Sequence, residues 1–352
     1  MTLSMSSPVR QPARKSAHPQ RQRLILPITA LLLILLVNAI LSPGFFSLGL
    51  VDGHLYGSLV DILHRGAPLA LLAIGMSIVI GTGGIDLSVG AIIAICGSVM
   101  AVLIRDQVMP EPLIALSVIG CGLLCGLWNG LLVAILRIQP IVATLILMVA
   151  GRGIAQMITG GQIVTFHSTL FGQLGSGYLW WLPMRVILTA IVLCGLIALV
   201  RRTALGLFIE AVGGNSEASR LAGIESRGVL IGAYMLSGFC AACAGLIIAA
   251  DISGADANNA GLWLEMDAIL AVVIGGASLA GGRFYLGLTL LGTLVIQSLT
   301  TSILVSGLPA QYTLLVKALV IILFLLIQSP PVKQRILHLL ERHPSASKGG
   351  RP

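Results

Sequence analysis

The chain has 352 residues, of which 57% are hydrophobic and 10% charged, and its mean hydropathy is +1.01. Soluble domains carry about a quarter charged residues, so 21 Lys+Arg and 13 Asp+Glu cannot coat a water-facing shell around this much apolar chain. The composition excludes a soluble enzyme, a disordered chain and a nucleic-acid binder. It leaves an all-α polytopic membrane protein whose net charge of +8 reports topology.

Residues 1–23 are basic and rich in Pro, Ser and Gln, which predicts a disordered inner tail. Ten apolar runs long enough to cross about 30 Å of hydrocarbon follow. They are 24–41, 66–82, 87–104, 113–136, 140–158, 183–200, 229–250, 267–281, 284–304 and 312–328, which makes 24–328 the transmembrane domain. The first run is expected to be retained, because no small-x-small cleavage site closes it before Pro43-Gly44. The eighth is short and joins the ninth through Gly275-Gly276 and Gly281-Gly282-Arg283, so nine to eleven spans stay open. Residues 329–352 begin with Pro330-Pro331 and read as a second inner tail.

With both termini cytoplasmic, the inner segments hold Arg10, Arg14, Lys15, Arg21, Arg23, Arg137, Arg201, Arg202, Arg220, Arg227, Arg283, Lys333, Arg335, Arg342, Lys348 and Arg351. Only Arg65, Arg105 and Arg185 fall outside, as the positive-inside rule requires. Arg152 and Lys317 lie within or near spans, where each can snorkel to the surface; Arg152 can instead pair with an acid. Cys96, Cys121, Cys125, Cys194, Cys240 and Cys243 all sit in apolar runs and read as small packing residues, with neither zinc nor disulfide expected.

Small residues are patterned. Gly122, Gly126 and Gly130 give the fourth span a bare strip for close helix packing, inside the subunit or against a second one. Gly83-Gly84 and Gly281-Gly282 stand at similar distances into each half, a weak hint of a five-plus-five inverted repeat. The inner loop 201–228 is no plain linker. Leu205, Phe208, Ile209 and Val212 fall at helical spacing, Gly213-Gly214-Asn215 is expected to break that helix, and Ser216 to cap a second one with Glu217 in its first turn.

Asp86 is the one acid placed beside buried apolar runs on the inner half, within Gly81-Thr82-Gly83-Gly84-Ile85-Asp86-Leu87-Ser88. It reads either as an N-cap that fixes a helix break or as a functional intramembrane acid, on the substrate path or coupled to protons. Asn129, Gln139, Gln156, Gln162 and Gln297 are the uncharged polar groups able to bond substrate hydroxyls, or to hold helices together. The outer loop from Asp251 to Asp267 carries four acids and no base, and presents Asp256, Asn258, Asn259 and Trp263 to a sugar or to a binding protein with a basic rim. No Gly-Lys dipeptide exists, so no P-loop can be written, and no helical metal motif or Gly-x-Ser-x-Gly elbow is present.

Three stretches resemble the ribose-type sugar permeases of bacterial ATP-binding-cassette (ABC) importers. They are Gly83-Gly84-Ile85-Asp86-Leu87-Ser88-Val89-Gly90, then Gln139-Pro140-Ile141-Val142-Ala143-Thr144 leading to Arg152-Gly153, and Glu210-Ala211-Val212-Gly213-Gly214-Asn215-Ser216-Glu217-Ala218 running on to Gly223-Ile224. The segment Gly254 to Glu265 with Gly281-Gly282-Arg283-Phe284 is similar to the permease subunits of galactofuranose importers.

The resemblance implies a multi-pass protein of the bacterial inner membrane that moves a monosaccharide. ATP and magnesium would be held by a separate cytoplasmic ABC ATPase, with no cofactor on this chain. That ATPase would dock at the loop through Leu205, Phe208, Glu210, Ala211, Gly213, Gly214, Asn215, Ala218 and Gly223. A periplasmic sugar-binding protein would sit on the outer loops, and a second permease, identical or paralogous, would complete the pore among membrane lipids. The alternative function is a secondary transporter coupled to protons through Asp86.

Overall fold

The computed structural model describes residues 19–42, 44–51, 53–307 and 309–328. The inner tails expected at 1–18 and 329–352 lie outside the described residues. Helix α1 (Pro19–Leu41) takes in the last residues assigned to the amino-terminal tail. It is followed by α2 (Ser58–Gly81), α3 (Val89–Arg105), α4 (Glu111–Ala134), α5 (Pro140–Thr159), α6 (Thr169–Ser176) and α7 (Met184–Arg202). The second half contains α8 (Leu205–Gly214), α9 (Ser216–Leu221), α10 (Ser226–Asp251), α11 (Leu264–Ile274), α12 (Leu286–Val305) and α13 (Ala310–Gln328). Three two-stranded antiparallel ladders decorate the connections: β1 (Gly49–Val51) with β2 (His54–Tyr56), β3 (Val164–Thr165) with β6 (Gly254–Ala255), and β4 (Tyr178–Leu179) with β5 (Leu182–Pro183).

Each expected apolar run overlaps a helix, and 6 of the described helices, α2, α4, α5, α7, α10 and α12, are long and apolar enough to cross a membrane. The boundaries differ where hydropathy is silent. Helix α2 begins at Ser58, because its first two turns carry Asp61 and Arg65, paired at 2.8 Å, and so read as polar. Pro140 opens α5 and the left-handed Gly160 closes it, the usual placement of both residues. The eighth run is not a full helical span: α11 has 11 residues, about 16 Å of helix, and stops at Gly275.

Helices α2 and α10 form the centre. Of their apolar windows 72% and 67% are buried, against 28% for α5 and for α7, which therefore lie at the periphery. The α4–α10 pair is the most extensive contact in the bundle, and the glycine strip explains it. A methyl group at Gly122 would stand 2.6 Å from Gly238 O, at Gly126 2.8 Å from Met235 Cα, and at Gly130 2.8 Å from Ile231 Cα. The strip thus packs against α10 of the same chain, and is not available to a second subunit.

The connections gather at two ends. At one, the 82–88 loop, α8 and the 275–285 loop touch one another. At the other, β3 pairs with β6, Leu170 N donates to Glu111 Oε2 at 3.2 Å, and Leu55 N donates to Trp181 O at 3.2 Å. Gly83-Gly84 and Gly281-Gly282 share the first end, with a methyl at Gly281 falling 2.7 Å from Gly83 Cα. An inverted repeat would put them on opposite faces, so these glycines lend it no support.

Candidate functional site

Helices α8 and α9 are held against the bundle by one face. Ile209 and Val212 are buried, whereas Leu207 (69% exposed), Phe208 (37%) and Leu221 (82%) stand free of it. Leu205, Glu210, Ala211 and Gly213 are half-buried, and Gly214, Asn215, Ala218 and Gly223 are exposed. The break falls on Asn215, the last of the three residues expected to make it, and the cap stands one residue earlier than expected. Gly213 and Gly214 are the last residues of α8, Asn215 is extended, and its side chain, rather than that of Ser216, caps α9 by accepting from Ala218 N at 2.9 Å.

The role of Gly213 is close approach rather than bending. Gly282 N donates to Gly81 O at 3.0 Å, and a methyl at Gly213 would lie 2.7 Å from that nitrogen and against that oxygen. Gly281 and Gly83 have φ of +84°, Gly282 +81°, so the three segments meet backbone to backbone where only glycine fits. On either side of this junction Ile209 and Phe284 close over Gly81. Sequence spacing carries no trace of a contact among residues 81, 213 and 282.

From this junction the chain turns back into the bundle to Asp86, which is wholly buried. Asp86 Oδ1 accepts from Ser88 N at 3.0 Å and Ser88 Oγ at 2.6 Å, and Oδ2 accepts from Ser237 Oγ at 2.8 Å. Asn129 Nδ2 donates to Ser88 Oγ at 2.8 Å, so Asp86, Ser88, Asn129 and Ser237 are one network joining the 82–88 loop, α4 and α10. The carboxylate closes a turn ahead of α3 and is not its N-cap, which is Ser88. Ser88 and Ser237 were invisible as partners, because serines are common in spans and 151 residues separate Ser237 from Asp86.

The five uncharged polar candidates do not form one path. Asn129 and Gln297 are buried, but Gln297 donates to Thr301 Oγ1 within α12, while Gln139, Gln156 and Gln162 lie on the exterior. The outer loop is also less acidic in effect than in composition. Asp251 pairs with Arg185, which is 3% exposed, Asp267 pairs with Lys317 at 2.8 Å, and Glu265 is buried. Lys317 therefore ties α13 to α11 and does not snorkel. Arg152 neither snorkels nor pairs with an acid: its Nη1 donates to Ala257 O at 3.1 Å and Ala260 O at 2.6 Å. Asp256 accepts from Asn259 Nδ2 at 2.7 Å. The six cysteines are free thiols, and among the described residues no His/Cys/Asp/Glu cluster could hold a metal.

The Arg185–Asp251 pair is asymmetric, since the Asp251 side chain is 46% exposed and that of Arg185 4%. Removing the acid strands a buried guanidinium, whose remaining acceptor is Gly175 O. We expect Asp251→Ala to cost about 3 kcal/mol and Arg185→Met about 1 kcal/mol. Thermal unfolding of the purified variants in detergent measures the order.

With this geometry in hand, comparison with known proteins is specific. The family model for "Branched-chain amino acid transport system / permease component" matches residues 58–325. The chain is 56% identical to the galactofuranose transporter permease protein YtfT of Escherichia coli K12, over 89% of this chain and 91% of that protein. It is 38% identical to the fructose import permease FruF of Bifidobacterium longum, over 87% of each, and 36% identical to the ribose import permease RbsC of E. coli K12, over 86% and 92%. No solved structure matches. The family match and these identities, each along most of both chains, mark a transport subunit rather than an enzyme, and the chain belongs to the family of branched-chain amino acid transport system permease components.

Proposed function

We propose that this chain is the membrane-spanning permease subunit of a bacterial ABC sugar importer, carrying a monosaccharide, galactofuranose first, across the inner membrane. The observation that carries the reading is the 56% identity to a galactofuranose permease along nearly the whole of both chains. The coupling end faces the cytoplasm, in keeping with Arg137, Arg201, Arg202, Arg220, Arg227 and Arg283 at that end. Ten crossings then return both termini inside. Two of them are composite: 82–88 with α3, and 252–263 with α11.

A cytoplasmic ATPase, holding ATP and magnesium, docks on the exposed Leu207, Phe208 and Leu221, an apolar patch that has no lipid to cover it at that end. A periplasmic sugar-binding protein docks at the opposite end, where the β1–β2, β3–β6 and β4–β5 connections gather. A second permease, identical or paralogous, completes the path, and lipid covers the exposed apolar side chains of α1 and α7. Hydrolysis would move α8, and the glycine junction would pass that movement to the 82–88 and 275–285 loops.

Purification of the tagged chain from native membranes in mild detergent is expected to bring a P-loop ATPase with it, stimulated by a periplasmic binding protein. A chain that purifies alone, in a preparation without ATPase activity, would overturn the reading. Asp86→Asn separates it from proton coupling. The variant keeps an acceptor for Ser88, so ATP-driven uptake in vesicles should persist; a proton-coupled transporter would lose uphill uptake.

A further inference from the structure

The 252–263 segment is not an external loop. Past β6 it descends along α3. A methyl at Gly261 would stand 2.7 Å from Gly90 O and 3.0 Å from Ile93 Cβ, and one at Gly90 2.6 Å from Gly261 O. Ile93 lies about 18 Å of helix below Arg105, the outer end of α3. The segment is clamped from both sides: on α3 by this glycine contact, and on α5 by Arg152, which binds the carbonyls of Ala257 and Ala260. Ala257 is buried with Ala94, Ile95 and Ala155.

The clamped segment leaves Asn258, Asn259 and Trp263 exposed, along with the aliphatic Ile252 and Leu262. Gln156 Nε2 donates to Asn258 Oδ1 at 2.7 Å, and Asn259 Nδ2 donates to Asp256 Oδ2 at 2.7 Å. Neither bond uses the amide nitrogen of Asn258 or the amide oxygen of Asn259. Trp263 is 52% exposed and holds φ 67°, ψ −2°, in the left-handed region that bulky side chains avoid. It also occupies the N-cap of α11, where Asn, Asp or Ser would bond the helix and tryptophan makes no capping bond. A residue that serves neither its own backbone nor the helix it starts is placed for its ring.

We infer that Gln156, Asn258, Asn259 and Trp263 form a sugar-contact site on the exposed face shared by α5 and the 252–263 segment, below the outer end of the permease, with Arg152 as the positioning residue. Amides supply donors and acceptors to ring hydroxyls without the cost of a buried charge, and the indole face takes the C–H face of a monosaccharide. The site rests on the importer reading and selects among sugars after the binding protein has released them.

The test uses the complete complex of permease, ATPase and binding protein in proteoliposomes, with radiolabelled galactose, ribose and fructose as probes. Two quantities are read: ATP-driven uptake, and the binding-protein concentration that half-saturates ATPase stimulation. Trp263→Gly suits the left-handed backbone better than tryptophan does, so its uptake reports the ring rather than the fold. Uptake should fall about tenfold in Trp263→Gly, Trp263→Phe should retain most of it, and Asn258→Ala should alter the ratio among the three sugars, all with unchanged half-saturation. A matching rise in half-saturation would make these residues a docking surface for the binding protein and overturn the site, as would undiminished uptake in Trp263→Gly together with an unaltered sugar ratio in Asn258→Ala. Absence of ATP-driven uptake in the wild-type complex would defeat the importer reading itself, before any variant is compared.

Discussion

Gly213→Ala should leave the complex assembled and hydrolysing ATP while sugar uptake collapses. The added methyl enters the gap in which Gly282 N donates to Gly81 O at 3.0 Å, and lies 2.7 Å from that nitrogen. All its neighbours are backbone, which cannot swing aside as a side-chain tip can. Either α8 lifts from the bundle or the bond opens, and an opened buried bond costs about 1–3 kcal/mol. If only one transport conformation needs the junction closed, a penalty of about 2 kcal/mol shifts the balance of the two about thirtyfold.

Gly214→Ala, one residue on, is the control. A methyl there meets nothing within 4 Å, and alanine favours the helix. Its uptake should match the wild type. The two variants therefore separate a steric junction from a need for flexibility: a hinge at Gly213-Gly214 would be stiffened by both, a close approach is blocked by one. The measurements are ATPase rate and uptake on the same vesicles. Equal uptake by both variants would defeat the junction.

Helix existence was legible because a bilayer demands long apolar runs, and each of the ten runs overlaps a helix, the eighth only as far as Ile274. Which face of each helix turns inward was not, and the reason is physical. Lipid is as apolar as a protein core, so a helix such as α7, 28% buried, needs no polar outer face and its sequence shows no contrast. For that reason the sequence does not separate Gln156 and Gln162, which are exposed, from Asn129, which is buried. Asp86 stood out as an acid among glycines, but Ser237 and Ser88, which hold it, did not. Helix α6 escaped notice because its 8 residues are too few to show a period, although Ser168, which caps it through Phe171 N, was a readable start. The helix pair α8–α9 was legible, since a Gly-Gly-Asn stop between two helical patterns is a local signal. The contact of Gly213 with Gly81 and Gly282 is a tertiary one that no local pattern encodes.

The same distinction sets the outcome of Gly126→Val. The α4–α10 contact is sealed by backbone: a methyl at Gly126 would stand 2.8 Å from Met235 Cα and 2.9 Å from Tyr234 C, and one at Gly238 3.0 Å from Gly126 N. In lipid no hydrophobic force drives helices together, so their association depends on how closely the backbones approach. Valine forces them apart along the largest interface of the bundle, at a cost we place at about 3 kcal/mol or more. Damage would extend inward. Asn129, one turn further along α4, and Ser237, on α10, grip the Asp86 network from opposite sides of this seam, so its opening leaves the buried carboxylate without part of its hydrogen bonding. Gly126→Val should therefore lower the yield of monodisperse protein and expose the chain to proteolysis in detergent. Gly120→Val, on the same helix but with nothing within 4 Å of its methyl, should not. Because exchanging glycine for valine changes helix propensity equally at both positions, the difference between the two variants isolates the packing of α4 on α10.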